Sequence, residues 1–374
     1  MKIPFNIPTI VGDEQNYIAK VIESKRFSGD GNYTKLCQEW FTNKLKAPKA
    51  LLTSSCTHAL ELSALLIDLQ PGDEVITSSF SFVSSANAFA LRGAKIIFID
   101  IDPITMNMDV SQIEQAITKK TKTIIPIHYA GVPCKMDEIM RIANEYKLWV
   151  IEDAAHGILA KYKNKYQGTI GHLGCFSFHE TKNLNCGEGG ALVINHEKFF
   201  ELAEIIREKG TNRSKFLRGE IDKYSWVEIG SSYLLNELSA AFLYTQLLNS
   251  EKLTNKRLTL WNRYFENLKH IPSIKLPTIP DYATHNAHVF FIKTENMDKR
   301  DALIQFLKSK DIQSTFHYVP LHSSTAGKKY SEFRGIESHT TKESERLLRL
   351  PLYYELSLES VDKICDAIKQ FYAS

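Results

Sequence analysis

The chain has 374 residues, with 46 Lys and Arg against 43 Asp and Glu, for a formal net charge of +3. Folding units of roughly 100–200 residues make two domains, or one large domain with an appendage, the expectation. Hydrophobic content of 43% and charged content of 24% match an ordinary globular enzyme. The near-neutral balance excludes binding to nucleic acid or an anionic membrane by charge alone.

The six cysteines, Cys37, Cys56, Cys134, Cys175, Cys186 and Cys365, form no CxxC pair. Neither a zinc site nor a disulfide framework is indicated, and no metal is expected. The opening stretch MKIPFNIPTIVGDEQ carries prolines and charges where a leader needs an apolar run. No window approaches the roughly 18–20 apolar residues of a membrane span, so the expectation is a cytoplasmic protein.

In chain order, residues 1–30 read as an N-terminal arm. ALLTSS (50–55) reads as a strand before a helical pattern in Leu60, Leu62, Leu65 and Leu66, and EVITSS (74–79) follows the turn Pro71-Gly72-Asp73. AKIIFIDID (94–102), TKTIIPIHY (121–129) and LWVIED (148–153) continue the strands, with helix-like SQIEQAI and MDEIMRIANEY between them. Strand and helix alternating at this spacing predict βαβ units and a mostly parallel sheet covered on both faces. HLGCFSF and GALVIN add two strands, the second antiparallel, and helices are predicted over 197–209 and 233–269. The proline-rich stretch 271–285 is the linker candidate. Beyond it come a strand (AHVFFIKT), a helix (KRDALIQFLKSK), a strand (IQSTFHY) and a last helix at 359–371. The expected architecture is α/β: a large domain over 31–270 and a small α+β domain over 271–374.

The chemistry gathers at strand ends. Walker A is absent, and GTIGHLG (168–174) has the wrong spacing for a dinucleotide loop. Asp153 ends a very apolar strand, where a carboxylate is costly without a partner. Lys182 lies a few residues beyond another apolar strand, beside the GEGG turn (187–190). TSSCTHALEL places small residues at a strand-to-helix turn, where free N–H groups and the helix dipole favour a phosphate. A buried anion, a loop lysine and such a helix start together are what a pyridoxal phosphate site requires. Taken singly, each has a plainer reading: a helix cap or ion pair for Asp153, a solvated charge for Lys182, ordinary capping for the turn. His156, His172 and His179 read as polar neighbours, since no spacing supports a metal.

At these residues the sequence resembles the sugar-nucleotide aminotransferases of the DegT/DnrJ/EryC1 family. The similarity runs nearly end to end. It takes in RFSGDGNYT (26–34), PGDEVITSSFSFVSSANAF (71–89), IEDAAHG (151–157), GHLGCFSFHETKNLNCGEGGAL (171–192), the stretch 203–234 and HYVPLH (317–322). Within the family the motifs look most like the bacterial 4-aminotransferases that act on dTDP-4-oxo-6-deoxy-D-glucose. The resemblance implies the fold-type-I (aspartate aminotransferase-like) architecture and pyridoxal 5'-phosphate, with the pyridoxamine form as intermediate. It further implies L-glutamate as donor, a homodimer, and a product for enterobacterial common antigen or another surface polysaccharide. The product implied is dTDP-4-amino-4,6-dideoxy-D-galactose. Alternatives are a C3-amino or equatorial 4-amino product, or a pyridoxamine-dependent dehydratase, which Lys182 disfavours because dehydratases carry His there. A catalytically silent sugar-nucleotide-binding protein is the rival from another class.

Position by position, the resemblance implies that Lys182 carries the cofactor and Asp153 faces its ring nitrogen. Phe82 matches the stacking aromatic, Ser177 a phosphate ligand, and Cys56 and Thr57 the backbone amides for the phosphate. Cys56 stands where the family commonly has Gly. His156 stands where Gln is common, facing the ring hydroxyl. Ser232 stands where many relatives have an Asn that reaches the partner subunit's phosphate. Tyr318 and His322 come toward the sugar in relatives, although His322 reads equally as a packed side chain. Lys209, Arg213, Arg218 and Lys223 form either a diphosphate clamp or a solvated loop. Gly29 and Gly31 allow positive φ and close backbone approach, for an arm over substrate or for a turn.

Overall fold

The computed structural model describes residues 2–373, so the first residue of the expected arm and the last of the C-terminal domain lie outside it. Seven of the eight strands of the main sheet come from the first two hundred residues: β1 (Lys49–Thr53), β2 (Glu74–Ser78), β3 (Lys95–Ile99), β4 (Thr121–Ile125), β5 (Trp149–Asp153), β6 (Leu173–Ser177) and β7 (Gly190–Ile194). A second sheet comprises β8 (Phe290–Lys293), β9 (Thr315–Phe316) and β11 (Leu347–Leu350), with β10 (Ser331–Phe333) between the last two in sequence. The main sheet runs in the order β1-β7-β6-β5-β4-β2-β3-β10. Every pair in it is parallel except those made by β7, which is antiparallel to both β1 and β6.

The period-two alternation of apolar side chains explains why both faces are covered. On β7, Leu192 and Ile194 enter the core formed with the helix Cys56–Leu66, whereas Ala191 and Val193 enter the core beneath the helices Asn32–Lys44 and Glu237–Leu248. The helix Met136–Tyr146 closes a third region through Ile139, Ile142 and Ala143, against Ile97, Ile124 and Val150. Two glutamates inside strands of the main sheet are paired. Glu74 opens β2 and receives two hydrogen bonds of 3.0 Å from Arg334. Glu152, fully buried beside Asp153, meets His128 at 2.8 Å and accepts N–H groups of Gly168, Ile170 and Gly171.

Two features depart from the expected division at residue 270. Leu260, Trp261, Tyr264 and Leu268 of the helix Ser250–Leu268 belong to the core of the C-terminal elements, as does Ile3 of the arm. Strand β10 leaves the C-terminal part and adds to the main sheet beside β3. Gly29 and Gly31 do not adopt positive φ; Asp30 between them does, at 63°. Both are glycine because the backbone is crowded there. A Cβ on Gly29 would lie 2.5 Å from the Leu235 carbonyl oxygen, and one on Gly31 2.4 Å from the Glu237 side chain. Glu237 accepts N–H bonds from Gly31, Tyr33 and Thr34, capping the helix Asn32–Lys44 from a distant part of the chain.

Candidate active site

The carboxyl ends of β2, β5 and β6 and the start of the helix Cys56–Leu66 surround a cavity of about 500 Å³, where open α/β sheets hold their ligands. Asp153 enters it from the end of β5. Its carboxylate accepts the Ser85 hydroxyl at 2.6 Å and the Ala155 N–H at 3.1 Å, so the buried anion is held in one orientation.

Lys182 enters from a loop closed by backbone bonds from Phe178 N–H to Gly189 O, Glu180 N–H to Gly187 O, and Cys186 N–H to Phe178 O. Asn183 ties this loop to the C-terminal segment. Its side chain donates to the Asn286 carbonyl at 3.0 Å and meets His288 Nδ1 at 2.8 Å. The Lys182 amine has no hydrogen bond or ion pair among the described residues, and it faces the cavity that Asp153 faces. Burial lowers its pKa below the ordinary lysine value, opposed by the nearby Cys56 and Asp153.

Ser55 caps the helix start by accepting the His58 N–H at 3.1 Å. The amides of Cys56 and Thr57, in the first turn, have no intrahelical acceptor and stand at the cavity wall with Ser177. Gly190 lets β7 pass directly behind this turn, since a Cβ there would lie 2.5 Å from the Cys56 nitrogen. The Cys56 thiol is pushed well above its usual pKa by burial, so it stays protonated and adds no charge. His156 stacks on His288 with ring centroids 4.0 Å apart. Its Nδ1 accepts the Ala130 N–H at 3.3 Å, which assigns the proton to Nε2. Burial and the Lys182 charge hold His156 well below the usual histidine pKa, and thus neutral.

Phe82 and Tyr318 also line the cavity. Ser232 does not; it is exposed, in a single bridge to Glu208. The expected clamp is likewise outside the cavity of its own chain. Lys209 and Arg213 pair with Glu208 at 3.2 and 3.4 Å, and Arg218 with Glu204 at 2.8 Å and Glu220 at 2.6 Å, because the helix Phe200–Arg207 presents carboxylates to this loop. Lys223 is exposed. His322 is turned away as well, its Nδ1 held by Ser79 at 2.7 Å and its ring against Phe333. Gly29 packs on Leu235 and touches no part of the cavity. Among the cavity residues that escaped the sequence reading are Phe5, Ser85, Arg257 and Arg349. Arg349 had a signal, a lone charge in the apolar run LLRLPL.

A free amine on a loop, an anchored carboxylate and unpaired helix-start amides around one cavity fit pyridoxal 5'-phosphate. Lys182 would take the aldehyde, Asp153 the ring nitrogen, and Cys56, Thr57 and Ser177 the phosphate. With this sheet order, the molecule is a fold-type-I transferase of the pyridoxal phosphate class. Residues 8–369 match the DegT/DnrJ/EryC1/StrS aminotransferase family, and the chain belongs to that family.

The chain is 35% identical to the uncharacterized protein MJ1066 of Methanocaldococcus jannaschii, over 98% of this chain and 96% of that one. It is 31% identical to the spore coat polysaccharide biosynthesis protein SpsC of Bacillus subtilis, again over 98% and 96%. Among solved structures, Spr1654 of Streptococcus pneumoniae in a PMP form superposes with a TM-score of 0.93 at 26% identity, covering 99% of each chain.

Proposed function

We propose that this chain transfers the amino group of L-glutamate to the C4 ketone of dTDP-4-oxo-6-deoxy-D-glucose, giving dTDP-4-amino-4,6-dideoxy-D-galactose for a surface polysaccharide in the cytoplasm. The observation that carries the reading is the shared cavity of Lys182 and Asp153, with the lysine amine unpaired. The polysaccharide-biosynthesis name of SpsC and the motif resemblance support a sugar substrate.

When bound, pyridoxal phosphate supplies an electron sink that stabilises negative charge at the carbon losing its proton. Asp153 would keep a proton on the ring nitrogen, the condition that makes that sink effective, and Ser85 keeps the carboxylate aimed. Lys182 Nζ, with its pKa lowered by burial, would hold the cofactor's aldehyde at rest and, once displaced by the donor, would serve as the base for the donor's α-carbon proton. His156, with its proton on Nε2, would offer a donor to the ring hydroxyl, and Phe82 on the cavity wall would cover the ring. Tyr318 holds the sugar from the C-terminal side.

The reading includes a second copy of the chain. The segment 213–232 exposes Trp226 at 74% and Ile229 at 63%, a patch too apolar for free solvent. Seating it against a second copy covers these side chains and carries Arg213, Arg218 and Ser232 toward that copy's cavity, where they meet the diphosphate and the phosphate.

The test mixes purified protein, pyridoxal phosphate, glutamate and the dTDP-keto sugar and identifies the product sugar by NMR. An axial C4 amine is expected. A C3-amino, equatorial or dehydrated sugar would replace the substrate assignment, and a colourless protein that cannot be reconstituted would end the reading.

A further inference from the structure

Among the described residues, Ser85 is the one side chain that hydrogen-bonds Asp153, and a second serine stands behind it. The Ser81 hydroxyl lies 2.8 Å from that of Ser85. Both serines are buried, so each hydroxyl depends on its protein neighbours. A hydroxyl has one proton to give. Ser85 gives its own to the Asp153 carboxylate, which can only accept, in a short charge-assisted bond of 2.6 Å. The contact between the serines therefore runs from Ser81 to Ser85 while Asp153 is ionised. Ser81 then has no proton left for the Phe82 carbonyl, 3.2 Å away, which takes the Ser85 backbone N–H instead.

The same atoms allow the opposite polarity. A proton on Asp153 Oδ2 would turn every bond round, from Oδ2 to Ser85, from Ser85 to Ser81, and from Ser81 to the Phe82 carbonyl. The two arrangements are unequal. With the carboxylate ionised, both hydroxyl dipoles aim their protons at the charge, and each bond polarises the next. Reversed, the chain ends on a neutral carbonyl that already accepts an N–H. The other groups facing Asp153 come from the helix start, from β6, from the C-terminal part and from the cavity loop. Burial raises the pKa values of Cys56, Cys175 and Tyr318, which stay neutral, and leaves Lys182 as the cation.

We infer that Ser81 is a positioning residue that acts through Ser85 on Asp153, the two hydroxyls in series holding the carboxylate ionised and so keeping the proton on the cofactor's ring nitrogen. Its consequence for turnover rests on the aminotransferase reading; the hydrogen-bond chain itself needs only the pyridoxal phosphate site. Alanine at 81 would leave the Ser85 oxygen buried with no donor, and the bond from Ser85 to Asp153 would lose the polarisation that strengthens it.

The test loads wild type, Ser81→Ala and Ser81→Thr with pyridoxal phosphate carrying nitrogen-15 in the ring. NMR of that nitrogen across a pH series reads its protonated fraction with no substrate present, and thermal melting checks the fold of each variant. Ser81→Ala is expected to lose the ring proton about one pH unit lower than wild type, a tenfold shift in the equilibrium. Its glutamate half-reaction should slow about 3–10-fold with the glutamate KM unchanged. Ser81→Thr, which keeps the hydroxyl, restores both. Ring-nitrogen signals identical at every pH in Ser81→Ala and wild type overturn the inference, even where the half-reaction slows. A shift in Ser81→Thr as large as in Ser81→Ala overturns it too, since the hydroxyl is then not the cause. Wild-type cofactor absorbance that glutamate leaves unchanged counts instead against the aminotransferase reading, and the NMR comparison, which uses no donor, stands apart from it.

Discussion

The Ser85 hydroxyl donates to Asp153 Oδ2 at 2.6 Å, joining the helix Ser84–Ala90 to the end of β5. The bond holds a buried carboxylate where a ring nitrogen needs it. Asparagine keeps an oxygen to accept from Ser85 but loses the charge. Asp153→Asn is therefore expected to fold, and to lose at least about 10²-fold in the rate of the glutamate half-reaction. Stopped-flow absorbance at saturating glutamate measures this; turnover near wild type would remove Asp153 from the role.

Lys182→Arg keeps a cation but removes the amine that bonds an aldehyde. Borohydride reduction followed by peptide mapping is expected to label position 182 in the wild type and nothing in the variant. Because burial lowers the Lys182 pKa, trapping should persist to a lower pH than for a surface lysine. A label on another lysine would displace the assignment.

Gly190→Ala tests the turn behind the phosphate amides. The new methyl would meet the Cys56 nitrogen at 2.5 Å, and backbone must yield. A loss of about 1–3 kcal/mol in stability is expected, together with weaker cofactor binding. Thermal melting and a cofactor titration read the two effects; unchanged values in both would show that the turn tolerates the shift.

Acid should destabilise the protein before its carboxylates titrate. His156, His288 and His317 are held well below the usual histidine pKa by burial, and His285 is pushed down to about 4. With the folded values below the unfolded one near 6.5, the unfolded chain binds more protons on acidification. Stability is complete above about pH 6.5 and falls below it, by up to about 1.4 kcal/mol per pH unit for each group. Glu74, Asp100 and Glu204, with lowered values, extend the loss at still lower pH. Melting temperatures across this range should decline steadily; a rise on acidification would contradict the burial of these rings.

Glu237→Ala should cost about 2–4 kcal/mol, because the amides of Gly31, Tyr33 and Thr34 at the start of the helix Asn32–Lys44 lose their shared acceptor. The cavity is not involved, so the glutamate half-reaction should survive in folded protein. An unaltered melting temperature would show water replacing the carboxylate.

The sheet was readable because β1 to β7 are short apolar runs between turn residues, a pattern set locally. Asp153 and Lys182 were readable for a related reason, as polar residues just past such runs. The cations at 209–218 were not. Whether Arg218 meets a substrate or Glu204 depends on how a loop folds against a helix earlier in the chain. Arg349 was missed because alternation along β11 makes a lone charge look like an outward-facing residue, and only the packing of β11 against the arm encloses it. Strand β10 escaped for want of length: three residues pairing with β3 leave no periodic signal.

That late strand bears on how the chain must be made. Until residues 331–333 have left the ribosome, β3 is a bare lateral rim of hydrogen-bonding groups on a nearly finished sheet. The nascent polypeptide thus spends the synthesis of more than two hundred residues with an adhesive border, which only its own distant tail is built to close. Shortening the protein from that tail would make the border permanent, and self-association rather than simple loss of catalysis would be the result.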